Sequence, residues 1–468
     1  MSMSSRAARR KKRKHAAGPQ PAARGAQPSV PAGLPQKTAP QQVHDLPVLY
    51  FSSGRKDVEA SDLEMVAFCD RDAGPVAFET GIEGLRLDFR GGVRLRVPAG
   101  AFHVRIGDAE TGLWYFESDI ENTVLVSMEK YAIVWQIEVE RDGALVFSHT
   151  FDPQGLDVYF DLSETPLGTS LMYVPFLEQY QRETGCHAIC RFKEQMKPVV
   201  ARYAPALALA DAMPAEAYAV YYAELFHSEP FFSPDDCRRL AWQEVCCSVL
   251  HVHHLPPMTA CPPASVPDLG ARPADVAADG PLAGQYVCIA VQASGVQKDW
   301  LAPGGWDTVV AALKADGCRV LCIDRDRVME AHGYRVAMPE GAEDYTGARP
   351  LQERIDLLAG AACFLGASSG LAWFAHAAGC PVVMISGFTL PQTEFHTPYR
   401  VWNPAVCHGC CNDPRVDWHK ALCPYHEGTK RELECSKRIT PRQVLLAAYR
   451  AIADRVAQQA QTVAQGRD

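Results

Sequence analysis

From about Leu46 to Leu162 the apolar positions recur every second residue. Leu85, Leu87 and Phe89 alternate with polar neighbours, as do Val93, Leu95 and Val97, then Val104 and Ile106, then Ile133, Trp135, Ile137 and Val139. Arg90-Gly91-Gly92 and Asp142-Gly143 separate these runs as turns. Short alternating strands divided by glycine turns predict an antiparallel β domain over 46–162. From Ser163 the period changes. Leu171–Tyr180 reads as an apolar helix and Cys186–Phe192 as a strand. Ala217–Phe226 is apolar and of undecided type. Pro234–Val252 reads as a helix capped by Ser233. This first α/β block spans 163–255. A proline-rich stretch, 256–283, reads as a linker. In a second block, 284–400, the strands Tyr286–Gln292, Arg319–Ile323, Cys363–Gly366 and Val382–Ile385 alternate with the helices Trp306–Ala315, Leu351–Ala359 and Leu371–Ala378. That alternation predicts a doubly wound parallel sheet. Two such blocks around a linker suggest a ligand cleft between them. A cysteine-bearing segment, 401–438, and a last helix opening at Thr440-Pro441 within 439–468 complete the chain.

Charge sharpens this outline. The chain has 468 residues and a formal net charge of −9. Residues 1–45 hold nine cations and one anion, so 37 of the 46 Lys/Arg and 54 of the 55 Asp/Glu lie in the remainder. A body this acidic is not expected to bind nucleic acid. The tail itself is rich in Pro, Ala and Gln and reads as disordered. Its basic run, Arg9–Lys14, is not followed by the apolar core of a secretory signal. No run of residues has the length and apolarity of a membrane helix. The expectation is a cytoplasmic protein, in which 17 cysteines serve as thiols or metal ligands rather than disulfides.

Four patterns carry chemistry. Cys407-x-x-Cys410, Cys423 and Cys435 offer a chelating pair and two further thiolates, a soft tetrahedral set suited to zinc or iron. Filled by four sulfurs, such a site is closed and structural, with one ion per chain. Cys411 is a fifth thiol in the same segment, and His408, His419 and His426 could each replace a thiolate. Phe364-Leu-Gly-Ala-Ser-Ser-Gly370 runs from a buried strand directly into a helix, placing backbone N–H groups and the hydroxyls of Ser368 and Ser369 at the sheet's carboxyl edge, where a diphosphate fits. Gln292-Ala-Ser-Gly-Val-Gln-Lys298-Asp-Trp300 leaves the first strand of the same sheet, so Lys298 can reach that phosphate. At the start of the first block, Pro166-Leu-Gly-Thr169 contains a glycine turn that a substrate can approach closely.

The cysteine segment Val406-Cys-His-Gly-Cys410, Asn412-Asp413, Cys423-Pro-Tyr-His426 and Glu434-Cys435 through Ile439-Thr440 resembles the bacterial autotransporter heptosyltransferase family. Ser369-Gly-Leu-Ala-Trp373, Pro381–Phe388, and Gln292-Ala-Ser294 with Lys298 and Trp300 are similar to the same family's donor domain. The resemblance covers most of 80–455 and leaves out the tail and the proline-rich stretch. It implies a GT-B fold of two Rossmann-like domains preceded by a β domain, and inverting transfer of heptose from ADP-heptose to serine hydroxyls of autotransporter passengers. It also implies a homo-oligomeric ring and an iron finger held by Cys407, Cys410, Cys423 and Cys435. Lys298 would contact the donor diphosphate, with Ser368, Ser369, Gly370 and Trp373 around it. One position departs from the family. Where the family carries Leu-Gly-Asp with the Asp as base, this chain has Leu167-Gly168-Thr169, and a threonine hydroxyl cannot take a proton as a carboxylate does. Asp161 and Glu164 are the nearby carboxylates that could replace it. The rival readings are a non-catalytic binding or assembly subunit, a heptosyltransferase with a lipopolysaccharide acceptor, and a metal-finger nucleic-acid binder.

Overall fold

The computed structural model describes residues 43–54, 58–223, 231–257, 261, 263–265, 267–416 and 422–465. The expected disordered tail therefore lies outside the described residues except for 43–45, and these are anchored: buried His44 meets Asp70 at 2.9 Å and Asp45 pairs with Arg96.

The alternating strands of 46–162 divide between two sheets. Phe102–Asp108, Leu113–Ile120, Trp135–Arg141 and Ala144–Thr150 form a four-stranded antiparallel sheet. Every second residue of its inner strands, Val104, Ile106, Trp135, Ile137 and Val139, is fully buried, the outcome the period-two pattern predicts. Asp142 and Gly143 both adopt positive φ, 52° and 74°, as a two-residue hairpin turn requires.

The other strands join a nine-stranded sheet. Its order is Val48–Phe51, Thr123–Ser127, Val93–Val97, Arg86–Arg90, Ala219–Tyr222, Asp157–Leu162, His187–Phe192 and Ala208–Leu209, with Phe78–Glu79 beside Arg86–Arg90. From Arg86–Arg90 to Ala208–Leu209 the pairing is parallel. The middle of the N-terminal half is antiparallel, and Val48–Phe51 lies parallel to Thr123–Ser127. The N-terminal β region is thus mixed rather than purely antiparallel, and it continues the parallel sheet of the first α/β block through the register Phe89↔Ala219. A helix that the strand pattern did not predict, Ala60–Asp72, also interrupts it. Fully buried Arg94 fixes that helix to the sheet. Its guanidinium grips Asp88 through Nε at 2.8 Å and Nη2 at 2.7 Å, and reaches Asp70 at 3.0 Å.

In the first block, helix Leu167–Thr184 ends at Gly185 in the left-handed region. The undecided stretch contains strand Ala219–Tyr222, and its residues 224–226 lie outside the described residues. The helix expected over Pro234–Val252 spans only Trp242–Leu250. Upstream, the Ser233 hydroxyl donates to Asp235 O at 2.7 Å, and Asp236 accepts from both the backbone and guanidinium of Arg238. These local bonds compete with helix formation, so Ser233 closes a turn instead of capping a helix.

The second block is a five-stranded parallel sheet in the order Glu343–Asp344, Arg319–Cys322, Tyr286–Ala290, Cys363–Gly366, Val382–Met384. Helices Gly305–Ala315 and Pro441–Gln465 pack with Val287, Ile289 and Leu365 on one face. Helices Leu351–Gly360 and Gly370–Ala377 pack with Cys288, Leu321 and Phe364 on the other. This is the doubly wound layer the alternation predicts. Its strand order reverses between Tyr286–Ala290 and Cys363–Gly366, so a ligand crevice is expected beyond the carboxyl ends of those two strands. All seventeen cysteines are free thiols. No described helix is long and apolar enough to cross a membrane.

Candidate functional site

At that switch point lies an open cleft of about 610 Å³. Three segments named from sequence line it: Pro166–Thr169, Ser294 with Lys298, and Ser368–Gly370 with Trp373. Trp242 and Gln297 line it as well and were not singled out beforehand. Trp242 comes into place because its helix begins there rather than at Pro234.

The cleft is built on two helix N-termini that face one another. Gly168, in the first turn of Leu167–Thr184, sits so close to Gly370 that a Cβ on Gly168 would stand 2.7 Å from the Gly370 Cα and 3.2 Å from Trp373 Cδ1. Only glycine allows that approach. The first-turn N–H groups of a helix have no partners within the helix, and two such ends concentrate positive potential in one place. Ser369 is the N-cap residue of Gly370–Ala377, yet its side chain makes no capping bond. Its Oγ is shut from solvent without a hydrogen-bond partner among the described residues, which leaves it available to a ligand. Ser368 and Trp373 are buried beside it, and Trp373 packs edge-on against Phe395 at 4.9 Å.

Lys298 approaches from the third side. It closes a short 3₁₀ turn, Val296–Lys298, and its Nζ donates to Ser294 Oγ at 3.1 Å. Burial lowers its pKa, and an anion in the cleft would offset that. Beneath the loop lie two buried carboxylates that the sequence reading passed over. Asp299 accepts from the backbone N–H of Ala293 at 2.7 Å, while its Oδ2 has no partner among the described residues. Burial, aided by the charge on Asp324, pushes Asp299 up to about 8. Asp324 accepts from the backbone of Val291 at 2.8 Å and burial raises it to about 6. Both hold the loop's backbone, and nothing in a Gln-Ala-Ser motif announces them.

Thr169 is buried at the cleft wall. Asp161 and Glu164 line a separate cavity with Phe68, Arg191 and Tyr222. Asp161 already accepts from the backbone of Ser163 at 2.9 Å and from its hydroxyl at 2.6 Å. The structure thus brings Thr169 into one cleft with Lys298, Ser369 and Gly370 and sets the two carboxylates in a neighbouring hollow.

Cys407, Cys410, Cys423 and Cys435 line one further cavity, together with His408, His426 and Glu434. Burial, with a smaller contribution from neighbouring cysteine sulfurs, pushes the Cys410 and Cys435 thiols up to about 12. No three of the four sulfurs lie within 4.8 Å of one another, so the thiols share a cavity without being gathered into a preformed tetrahedral set. The Leu433 backbone N–H also points to Cys423 Sγ at 3.5 Å. The donor chemistry is that of a thiolate-bound metal, while the spacing of the sulfurs is wider than a bound ion requires. Cys411 lies outside this cavity's lining, and His419 lies outside the described residues. Gln297 lines both this cavity and the switch-point cleft.

Residues 81–143 match the family model of the N-terminal domain of glycosyltransferase TibC, and residues 257–423 match glycosyltransferase family 9, the heptosyltransferases. The autotransporter heptosyltransferase BAHTCr of Citrobacter rodentium is 35% identical over 78% of this chain and 88% of its own length. TibC of Escherichia coli is 34% identical over 78% and 89%. BimC of Burkholderia thailandensis, described as an inactive autotransporter heptosyltransferase, is 32% identical over 78% and 85%. Among solved structures, the iron-containing dodecameric TibC superposes with a TM-score of 0.73 over 81% of this chain and 98% of its own. TibC bound to ADP-D-β-D-heptose superposes with a TM-score of 0.74 over the same shares. With this identity spread over most of both chains, and with the GT-B layers in place, the chain belongs to the autotransporter heptosyltransferase family.

Proposed function

We propose that this protein is an inverting glycosyltransferase that moves a heptose from ADP-heptose onto serine hydroxyls of an autotransporter passenger. The observation that carries the reading is the cleft on which two helix N-termini and Lys298 converge. In this reading the donor diphosphate lies between the Gly168 and Gly370 ends, within reach of Ser368, Ser369 and Lys298, and Trp373 forms part of the wall. First-turn N–H groups and the Lys298 ammonium stabilise the negative charge that develops on departing ADP. The serine oxygen attacks the anomeric carbon on the face opposite the leaving group, which inverts the centre. Cys407, Cys410, Cys423 and Cys435 would hold one iron ion, with zinc as the alternative. With every position filled by sulfur, that ion supplies a structural cross-link and no reacting site. The iron-containing, dodecameric assembly of TibC supports a ring of identical subunits. Seventeen free thiols suit a reducing cytoplasm.

Thr169 favours a second reading, a family member that binds donor without turnover, and the relative described as inactive keeps it in view. Asp161 and Glu164 are the carboxylates left to take the serine proton, from their adjoining cavity. Incubation of the purified protein with ADP-heptose and a co-expressed passenger fragment, read by intact mass, separates the two. Gains of one heptose unit per site establish the enzyme. An unmodified passenger, where a Thr169→Asp variant does modify it, assigns the native chain to the binding role.

A further inference from the structure

We propose that Glu110, His251 and His253 form a second metal site, for a divalent transition-metal ion bound by nitrogen and oxygen, apart from the cysteines and independent of the transfer reaction. One ligand atom from each residue lies within 4.8 Å of the other two. Glu110 Oε2 stands 2.9 Å from His251 Nε2, and Glu110 Oε1 stands 4.0 Å from His253 Nε2. Tetrahedral zinc, with bonds of about 2.0–2.2 Å, sets its ligand atoms roughly 3.3–3.5 Å apart. The observed separations bracket that value, so rotamer adjustments within the set suffice.

The backbone places these groups before any ion arrives. His251 follows helix Trp242–Leu250 in the left-handed region, φ 53° and ψ 45°, a position that normally belongs to glycine or asparagine. A histidine held there stores strain that the helix end alone does not require. The Val252 N–H closes the helix by donating to Cys247 O at 2.9 Å. Val252 is buried, so His251 and His253 flank an inward residue, and their rings meet edge to face at 5.1 Å. The His253 backbone N–H is tied to Glu183 at 2.9 Å. Opposite them, Glu110 sits in the tight turn between Phe102–Asp108 and Leu113–Ile120. Asp108 accepts there from the Glu110 backbone at 3.0 Å and from the Thr111 hydroxyl at 2.8 Å.

A second observation points to a ligand. His251 Nε2 is shut from solvent and makes no hydrogen bond among the described residues, although Glu110 Oε2 is 2.9 Å away. A simple ion pair would align that N–H on the carboxylate. Two imidazolium rings sharing one carboxylate would also repel, whereas neutral imidazoles can both donate lone pairs to one cation. Two imidazoles and a carboxylate suit Zn²⁺, Co²⁺ or Ni²⁺ and are poor for Mg²⁺ or Ca²⁺. The ion would staple the hairpin of the four-stranded sheet to the helix Trp242–Leu250. The exposed side chains of Glu110 and His253 leave its fourth position to water.

The test titrates Zn²⁺ into the full-length protein as purified, with the cysteine-bound metal retained, against a chromophoric chelator. Co²⁺ serves as an optical probe, because nitrogen and oxygen ligands give d–d bands without the intense thiolate charge-transfer absorption. The native chain should take up one added equivalent. His251→Gly, which relieves the backbone there, and His253→Gln should bind it about tenfold or more weakly, with melting in metal-free buffer no lower than that of the native chain. Cys435→Ser should keep it. The proposal fails if the native chain takes up no equivalent beyond that lost in Cys435→Ser, or if Co²⁺ reports only thiolate ligation. It fails equally if His251→Gly and His253→Gln match the native affinity. Should either histidine variant misfold, Glu110→Gln on the opposite hairpin gives the same reading.

Discussion

Lys298 and Asp299 are neighbours with opposite assignments. Lys298 faces the cleft, where the loss of one donor that stabilises developing charge costs roughly 10²–10³-fold in rate. Lys298→Ala should therefore lower heptose transfer by about that factor in a mass-based rate assay while leaving the melting temperature nearly unchanged. Unaltered transfer would remove it from the mechanism. Asp299 faces inward and is fully buried. Its folded pKa of about 8 stands above its ordinary 3.8, so the folded chain holds a proton that the unfolded chain releases once the pH passes about 4. Stability from this group is complete below that pH and drains away as the pH rises toward about 8. Asp299→Asn keeps the acceptor for Ala293 and cannot ionise. Its melting temperature should match the native value near pH 4 and exceed it by a margin that widens to pH 8. A constant margin would show that Asp299 titrates normally.

The donor edge depends on how two elements approach each other. The Leu167 and Gly370 helices touch through glycine Cα atoms, and a methyl at Gly168 would meet backbone at 2.7 Å. Neither backbone can yield without moving its helix. Gly168→Ala should weaken ADP binding measured by calorimetry by about tenfold or more, and cost about 1–3 kcal/mol of stability in denaturant titration; unchanged ADP affinity would mean that the gap is not the phosphate site. Much of this edge is legible in sequence, because the strand Cys363–Gly366 and the helix after Ser369 are local patterns of burial and capping. The close approach of Gly168 to Gly370 is not legible, since it joins positions about 200 residues apart. The Ala60–Asp72 helix escapes a period-two reading because it buries Asp62, Val66 and Asp70, spaced four apart and two of them charged. What holds it is Arg94 reaching back from a strand to Asp70, a contact that no local window contains. The false helix start at Pro234 has the converse cause: a proline and a serine that signal a helix are spent on a side-chain turn.

At the scale of the whole molecule, the cysteine segment is wired to the Lys298 loop from behind. Ser436, next to Cys435, accepts from the Leu301 backbone at 2.8 Å and donates to Asp299 O at 2.5 Å. Trp300 Nε1 donates to Ile439 O at 3.0 Å. Asn412, just past the Cys407–Cys410 knuckle, reaches across to Arg238 O of the first block at 2.9 Å. Metal bound by the four cysteines would therefore brace both the loop that carries Lys298 and the block that carries Thr169. A closed sulfur site takes no part in the chemistry, so its influence must pass through these bonds as a shift in loop position. Cys435→Ser should lose its metal by elemental analysis and bind ADP more weakly by ~0.5–2 kcal/mol, the usual size of coupling between linked sites. The residual transfer rate at saturating donor should fall less than the affinity does, because Lys298 remains present and is only displaced on average. Metal loss with unchanged ADP affinity would uncouple the segment from the cleft. It would leave the Ser436 and Trp300 bonds as packing that the donor loop keeps without help from the cysteines.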